Sequence, residues 1–291
     1  MYKRQREQVR VCLERLKLGK QAKSVLLLGL RGVGKTVLLD KMRTDAEGRG
    51  VHTIRIEAPE NKSLPALLAP QLRLALLRLS RVEAAKDLAI RGLRGLAGFA
   101  KRLKVSFADI EVGFDYEPEP GLADNGDLEG DLAALLEQVG RAAQAADTVV
   151  AMFIDELQYV AEDQLAALIS ALHRCAQQKL PVTLVGAGLP QLRGRMGEAK
   201  SYAERLFNFS EIGALSRGDA SSAITLPAKE EGVEIEPAAV DAIITETQGY
   251  PYFLQEWGKC AWEVAEASPI SAQDVEKASR CLLYTSPSPR D

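Results

Sequence analysis

Short continuous apolar runs alternate with amphipathic stretches along most of this chain. Residues 6–18 place Val9, Cys12, Leu13 and Leu16 at helical spacing. The run at 24–30, SVLLLGL, is apolar throughout, as a strand buried on both faces of a parallel sheet must be. VHTIRIEA at 51–58 alternates and is rich in β-branched residues, so it reads as a second strand. TVVAMFIDE (148–156) and PVTLVGAG (181–188) repeat the buried-strand signature, and FNFSEIGAL (207–215) reads as a last strand. Between them, apolar spacing predicts helices over 35–45, 63–82, 83–103, 128–146 and 163–179. Asp127 or Asp131 is placed to cap the fourth of these. Residues 104–116 alternate like an extended ribbon. The acidic stretch 117–130, with Pro118, Pro120, Gly121, Asn125 and Gly126, reads as an exposed loop. Beyond 216 only helical patterns follow, at 217–227, 237–247, 252–267 and 271–279. The alternation predicts an α/β fold with a parallel sheet flanked by helices, then a small all-α subdomain. On this division the core is 6–215, with an insertion at about 63–130, and the helical lid is 216–280.

Composition narrows the class without changing that picture. Of 291 residues, 46% are hydrophobic and 26% charged, enough apolar surface for a packed core and against disorder as the main state. No apolar run approaches the length of a membrane span, and no secretory signal follows the basic N-terminus. Cys12, Cys175, Cys260 and Cys281 show no disulfide or metal spacing, which fits a reducing cytoplasm. The net charge of -3 conceals an asymmetry: residues 1–104 hold 24 Lys and Arg against 9 Asp and Glu, the remainder 13 against 31. Two readings are open: a basic half that attracts nucleic acid or phosphate, and a bipolar surface whose halves partly neutralise each other.

Both ends read as foreign. The tail CLLYTSPSPRD (281–291) has the form of a translated sequencing adapter, and the head MYKRQ (1–5) that of its reverse complement. On that reading the natural segment is 6–280, a piece of a longer product.

The chemistry gathers at the end of the first strand. GLRGVGKT, residues 29–36, satisfies G-x-x-x-x-G-K-[ST] between a predicted strand and a predicted helix. Gly29, Leu30, Arg31, Gly32, Val33 and Gly34 are expected to wrap their backbone N–H groups around phosphate oxygens. The helix dipole beginning near Lys35 and running through Val37 adds positive charge. Lys35 is expected to reach the β- and γ-phosphates of ATP, and the Thr36 hydroxyl to ligate Mg²⁺. The acidic pair ending the apolar strand at 148–156 supplies the rest. Asp155 is expected to hold the metal from the mouth of a neighbouring strand, and Glu156 to deprotonate the attacking water.

These motifs resemble those of AAA+ and related STAND-type P-loop ATPases, GLRGVGKT their Walker A and MFIDE their Walker B. The likeness covers about 6–280 and is nearest to archaeal-type and origin-recognition-like members. It implies an ATPase that cycles between ATP and ADP, homo-oligomeric assembly, and association with DNA through a winged-helix domain following this chain. SYAERLF (201–207) is similar to the family's arginine-finger box, so Arg205 is a candidate to meet a neighbouring subunit's γ-phosphate; a surface or lid salt bridge is the alternative. Gly249-Tyr250-Pro251 resembles the G-x-P motif of STAND-type members, which implies that Tyr250 and Pro251 lie near the nucleotide; a plain helix start at Pro251 is compatible with that. Two features depart from the family: PVTLVGAG ends Gly186-Ala187-Gly188 with no polar side chain until Gln191, and the lid segment at 248–258 lacks the sensor-2 arginine.

Other features carry less. His52 and His173 have no ligand partners at metal spacing. The basic helix at 86–103 is read as core-packed with a solvated charged face, and contact with DNA or an anionic surface is the other reading. The acidic stretch 109–131 lacks EF-hand ligand order and reads as a solvated insertion. Three function classes follow: a nucleotide switch that hydrolyses ATP, a gated scaffold or signalling module in which binding alone matters, and, third, a metabolite kinase with no identifiable acceptor site.

Overall fold

The computed structural model describes residues 2–60, 62–102 and 116–285. The expected ribbon at 104–116 lies, except for Tyr116, outside them. Five strands, β1 (Ser24–Leu28), β2 (His52–Glu57), β3 (Val150–Asp155), β4 (Val182–Gly188) and β5 (Phe207–Glu211), form one sheet. The order is β2-β3-β4-β1-β5 and every pairing is parallel. β1, β3 and β4 are buried along their whole length, which is why they appear in the sequence as unbroken apolar runs.

The first unit comprises Tyr2–Leu28 and Lys35–Glu211. Here α1 (Lys3–Lys17) and α2 (Lys35–Glu47) pack on one face of the sheet, where the Cys12 thiol lies 3.7 Å from the Thr183 hydroxyl. On the other face lie α3 (Leu64–Leu79), α5 (Leu128–Ala145) and α6 (Glu162–Gln177). Their core joins Val150, Met152 and Ile154 of β3 with Val182 and Leu184 of β4, the alternate residues of each strand. Ser63 caps α3 through Ala66 N and Asp127 caps α5 through Gly130 N at 2.9 Å, each satisfying an orphan donor.

Several expectations need correction. The helix expected over 83–103 is a 3₁₀ turn at Glu83–Ala85 followed by α4 (Lys86–Arg102). The acidic loop is not simply solvated: Leu122, Ala123 and Asp131 are buried. Asp131 Oδ1 accepts from Asn125 N and its Oδ2 from Gly126 N, at 3.0 and 2.9 Å. A carboxylate that satisfies two backbone donors folds the loop onto the protein. Leu122 in turn fits against Gly95 of α4. The helix α4 buries Ala89, Leu93, Leu96 and Phe99 and exposes Lys86, Arg91, Arg94 and Lys101, the core-packed reading of the two. Two short helices, α7 (Leu192–Ala199) and α8 (Ala203–Leu206), precede β5 and were not expected.

The second unit comprises Gly29–Gly34 and the chain from Ile212 onward, four residues before the expected boundary. Its helices are α9 (Arg217–Glu230), α10 (Pro237–Thr247), α11 (Pro251–Val264) and α12 (Ala272–Thr285). Ile224, Ile243, Leu254, Ile270 and Val275 form its core. Helical backbone runs through both suspected adapter junctions, since α1 starts at Lys3 and α12 reaches Thr285. Among the described residues no helix is long and apolar enough to cross a membrane.

Candidate nucleotide site

The glycine-rich segment connects β1 directly to α2, as the strand–loop–helix pattern requires. Gly32 and Gly34 have φ of 77° and 83°, the left-handed region that turns successive backbone groups inward. At Gly32 a second constraint operates. A Cβ there would sit 2.7 Å from Cβ of Tyr252, whose N–H donates to the Gly32 carbonyl at 3.0 Å. Leu30, Arg31 and Val37 are exposed and Val33 is buried. The helix α2 opens at Lys35, which is buried, and no acidic residue in its first turn competes with an incoming anion.

Asp155 ends β3 and is buried, and its Oδ2 accepts a hydrogen bond from the Thr36 hydroxyl at 2.5 Å. The strand carrying it is not the immediate neighbour of β1, because β4 lies between them. The two oxygens form a hard, partly anionic donor set, the chemistry that suits Mg²⁺. Glu156, one residue on, adopts φ 55°, and its N–H bonds back to Asp155 Oδ1 at 2.9 Å. That turn redirects the chain after the strand, so Asp155 and Glu156 do not continue the strand's alternation. Glu156 Oε2 accepts from the Gln158 carboxamide.

Arg205 lies on α8 and is exposed, and among the described residues it forms no ion pair. The segment before it is anchored: Lys200 donates to both oxygens of Glu129 at 2.8 and 2.9 Å, and Ser170 donates to the same carboxylate. These bonds, Lys200 first, hold Glu129 below the usual carboxylate range and raise Lys200 in turn. Tyr202 completes the cluster at 3.0 Å from the Ser170 hydroxyl. Tyr250 is the N-cap of α11 and Pro251 its first residue, with Leu215 N bonded to Gly249 O at 2.8 Å. The contact with the glycine loop comes from Tyr252, a residue the motif did not single out. His52 and His173 join no metal-binding cluster among the described residues.

A parallel sheet with a glycine-rich segment between its first strand and helix, and a Thr–Asp pair at the start of that helix, defines a nucleotide-binding P-loop ATPase. The chain belongs to the AAA ATPase domain family, whose model matches residues 3–185. No curated protein sequence matches it. Among solved structures it resembles the RuvB Holliday junction branch migration motor of Thermotoga maritima at 19% identity and a TM-score of 0.54. That match covers 95% of this chain and 67% of RuvB. AMPPCP-bound DnaA from Aquifex aeolicus matches at 14% identity and 0.52, over 96% of this chain and 65% of that one. Orc1 of Aeropyrum pernix, solved in complex with DNA, matches at 16% and 0.52, over 95% and 64%. At such identities the likeness establishes the fold.

Proposed function

We propose that the chain binds Mg·ATP and hydrolyses it, serving as a nucleotide switch in the cytoplasm. The carrying observation is the 2.5 Å bond between Thr36 and the buried Asp155, with Glu156 turned out of the strand beside it. In this reading the loop backbone and Lys35 bind the phosphates, and Thr36 and Asp155 hold the metal, which when bound neutralises phosphate charge. Glu156 accepts the proton of the attacking water. The exposed Arg205 is assigned to a neighbouring subunit's γ-phosphate in a homo-oligomer. DNA, reached through a domain outside this chain, is the proposed partner; the support is the origin-recognition-like motif pattern together with the DNA-bound Orc1 neighbour. One observation favours the gated-scaffold alternative: β4 ends Gly186-Ala187-Gly188, with no polar side chain to sense the γ-phosphate.

Two substitutions separate binding from chemistry. Lys35→Ala removes a charge-assisted contact worth about 1.5–3 kcal/mol, so ATP affinity falls about ten- to a hundredfold. Glu156→Gln keeps the shape and removes the base, so ATP binds as before while single-turnover hydrolysis falls by about 10²–10⁴. Parental hydrolysis in Glu156→Gln rejects the base and leaves the gated scaffold as the better account.

A further inference from the structure

Gln158 is a polar residue for which the motif reading gave no use, and it is 7% exposed. It follows Glu156 by two residues, in the 3₁₀ turn Leu157–Tyr159 that leads from β3. Both ends of its carboxamide are committed. Its Nε2 donates to Glu156 Oε2, and its Oε1 accepts the Leu189 N–H at 3.1 Å, just beyond the end of β4. Its own carbonyl accepts from Arg195 Nη1, while Arg195 Nη2 donates to Val160 O at 2.8 Å, so α7 clamps the turn from outside. A single amide thus ties the carboxylate assigned as base to the tip of the adjacent strand.

The glycines ending β4 fit this arrangement. A Cβ at Gly186 would lie 2.4 Å from Leu157 Cδ1 and 2.6 Å from Leu26 Cδ2. One at Gly188 would lie 2.7 Å from Leu192 Cδ2 and 3.0 Å from Gln158 Oε1. A side chain at position 188 would therefore press on the amide already there, and one at 186 on Leu157 and Leu26.

We propose that Gln158 is the positioning residue of the hydrolytic site: it holds one oxygen of Glu156 and couples that carboxylate's orientation to the end of β4. This rests on Glu156 being the base, and the test separates the two claims. Gln158→Glu is isosteric and keeps an acceptor for Leu189, but it replaces the donor facing Glu156 with a second carboxylate. Gln158→Met keeps the volume and removes both bonds. Fluorescent ATP-analogue affinity, melting temperature and single-turnover hydrolysis are measured on both, beside Glu156→Gln. A hydrogen bond to a charged group corresponds to about a ten- to hundredfold rate effect, so hydrolysis should fall by that factor with nucleotide affinity within about twofold. Parental hydrolysis in both Gln158 variants, with Glu156→Gln inactive, overturns the positioning role and leaves the base intact. Rate losses that track lost affinity and melting temperature overturn it as well. Parental hydrolysis in Glu156→Gln removes both claims.

Discussion

Thr36→Val tests the pair at the centre of the site with the smallest possible change in shape. The substitution replaces a hydroxyl with a methyl and takes away the donor 2.5 Å from Asp155 Oδ2. Asp155 is 5% exposed, so water reaches the orphaned oxygen poorly. A hydrogen bond to a charged group is worth about 1.5–3 kcal/mol, and leaving a buried acceptor unpaired incurs its desolvation penalty. Because Thr36 itself is exposed and water can approach from that side, the lower end applies, about 1.5 kcal/mol. At about 2–4 °C per kcal/mol for a domain of this size, the melting temperature without metal or nucleotide should fall by about 3–6 °C. Asp155→Asn and the double variant complete a cycle whose coupling energy should be about 1 kcal/mol or more. The same proteins titrated with ATP, with and without magnesium, provide the second readout: the parent's magnesium-dependent gain in affinity should vanish in Thr36→Val. Additive energies in the cycle, with an unchanged magnesium dependence, would refute both the bond and the metal assignment.

Arg205→Ala should leave ATP affinity unchanged and remove most turnover, and adding hydrolysis-dead subunits that keep Arg205 should restore part of it; full activity of the variant alone removes the finger assignment. His52, half-buried on β2, is pushed below its ordinary value by burial and, less, by Arg78. Below about pH 6.5 the unfolded chain therefore takes up that proton more readily than the folded one, and stability falls as pH drops. His52→Gln should flatten the pH dependence of melting just below about pH 6.5, and an unchanged slope counts against the burial argument.

The strands and long helices were legible because burial on both sheet faces demands unbroken apolar runs, and β1, β3 and β4 have them. The helices α7 and α8 were not, since LRGRMGEA carries two glycines and buries only Leu192 and Met196, too few positions for a period to emerge. The loop before α5 looked solvated because acidic residues usually are; Asp131 is buried because Asn125 and Gly126 turn their N–H groups onto it. At the site, G-x-x-x-x-G-K-[ST] singled out Lys35 and Thr36 by spacing, and the acidic pair stood out as the end of an apolar strand. Gln158 and Tyr252 escaped because their relevance depends on contacts with Leu189 and Gly32, residues far away in sequence.

The strand order also sets a schedule for the growing polypeptide. Val25 of β1 pairs with Val185 of β4, about 160 residues later, and with Asn208 of β5 later still. At about 5–20 residues per second, β1 emerges from the ribosome roughly ten to thirty seconds before either neighbour exists. For that interval SVLLL, with the glycine loop behind it, is an unpaired apolar segment with both edges open. β2 must likewise wait for β3, because its partner follows the whole α3–α5 insertion. The nucleotide loop is thus among the first parts of the site to be synthesised and among the last to be set in its sheet, which makes the nascent chain a natural client for chaperones that shield apolar strands.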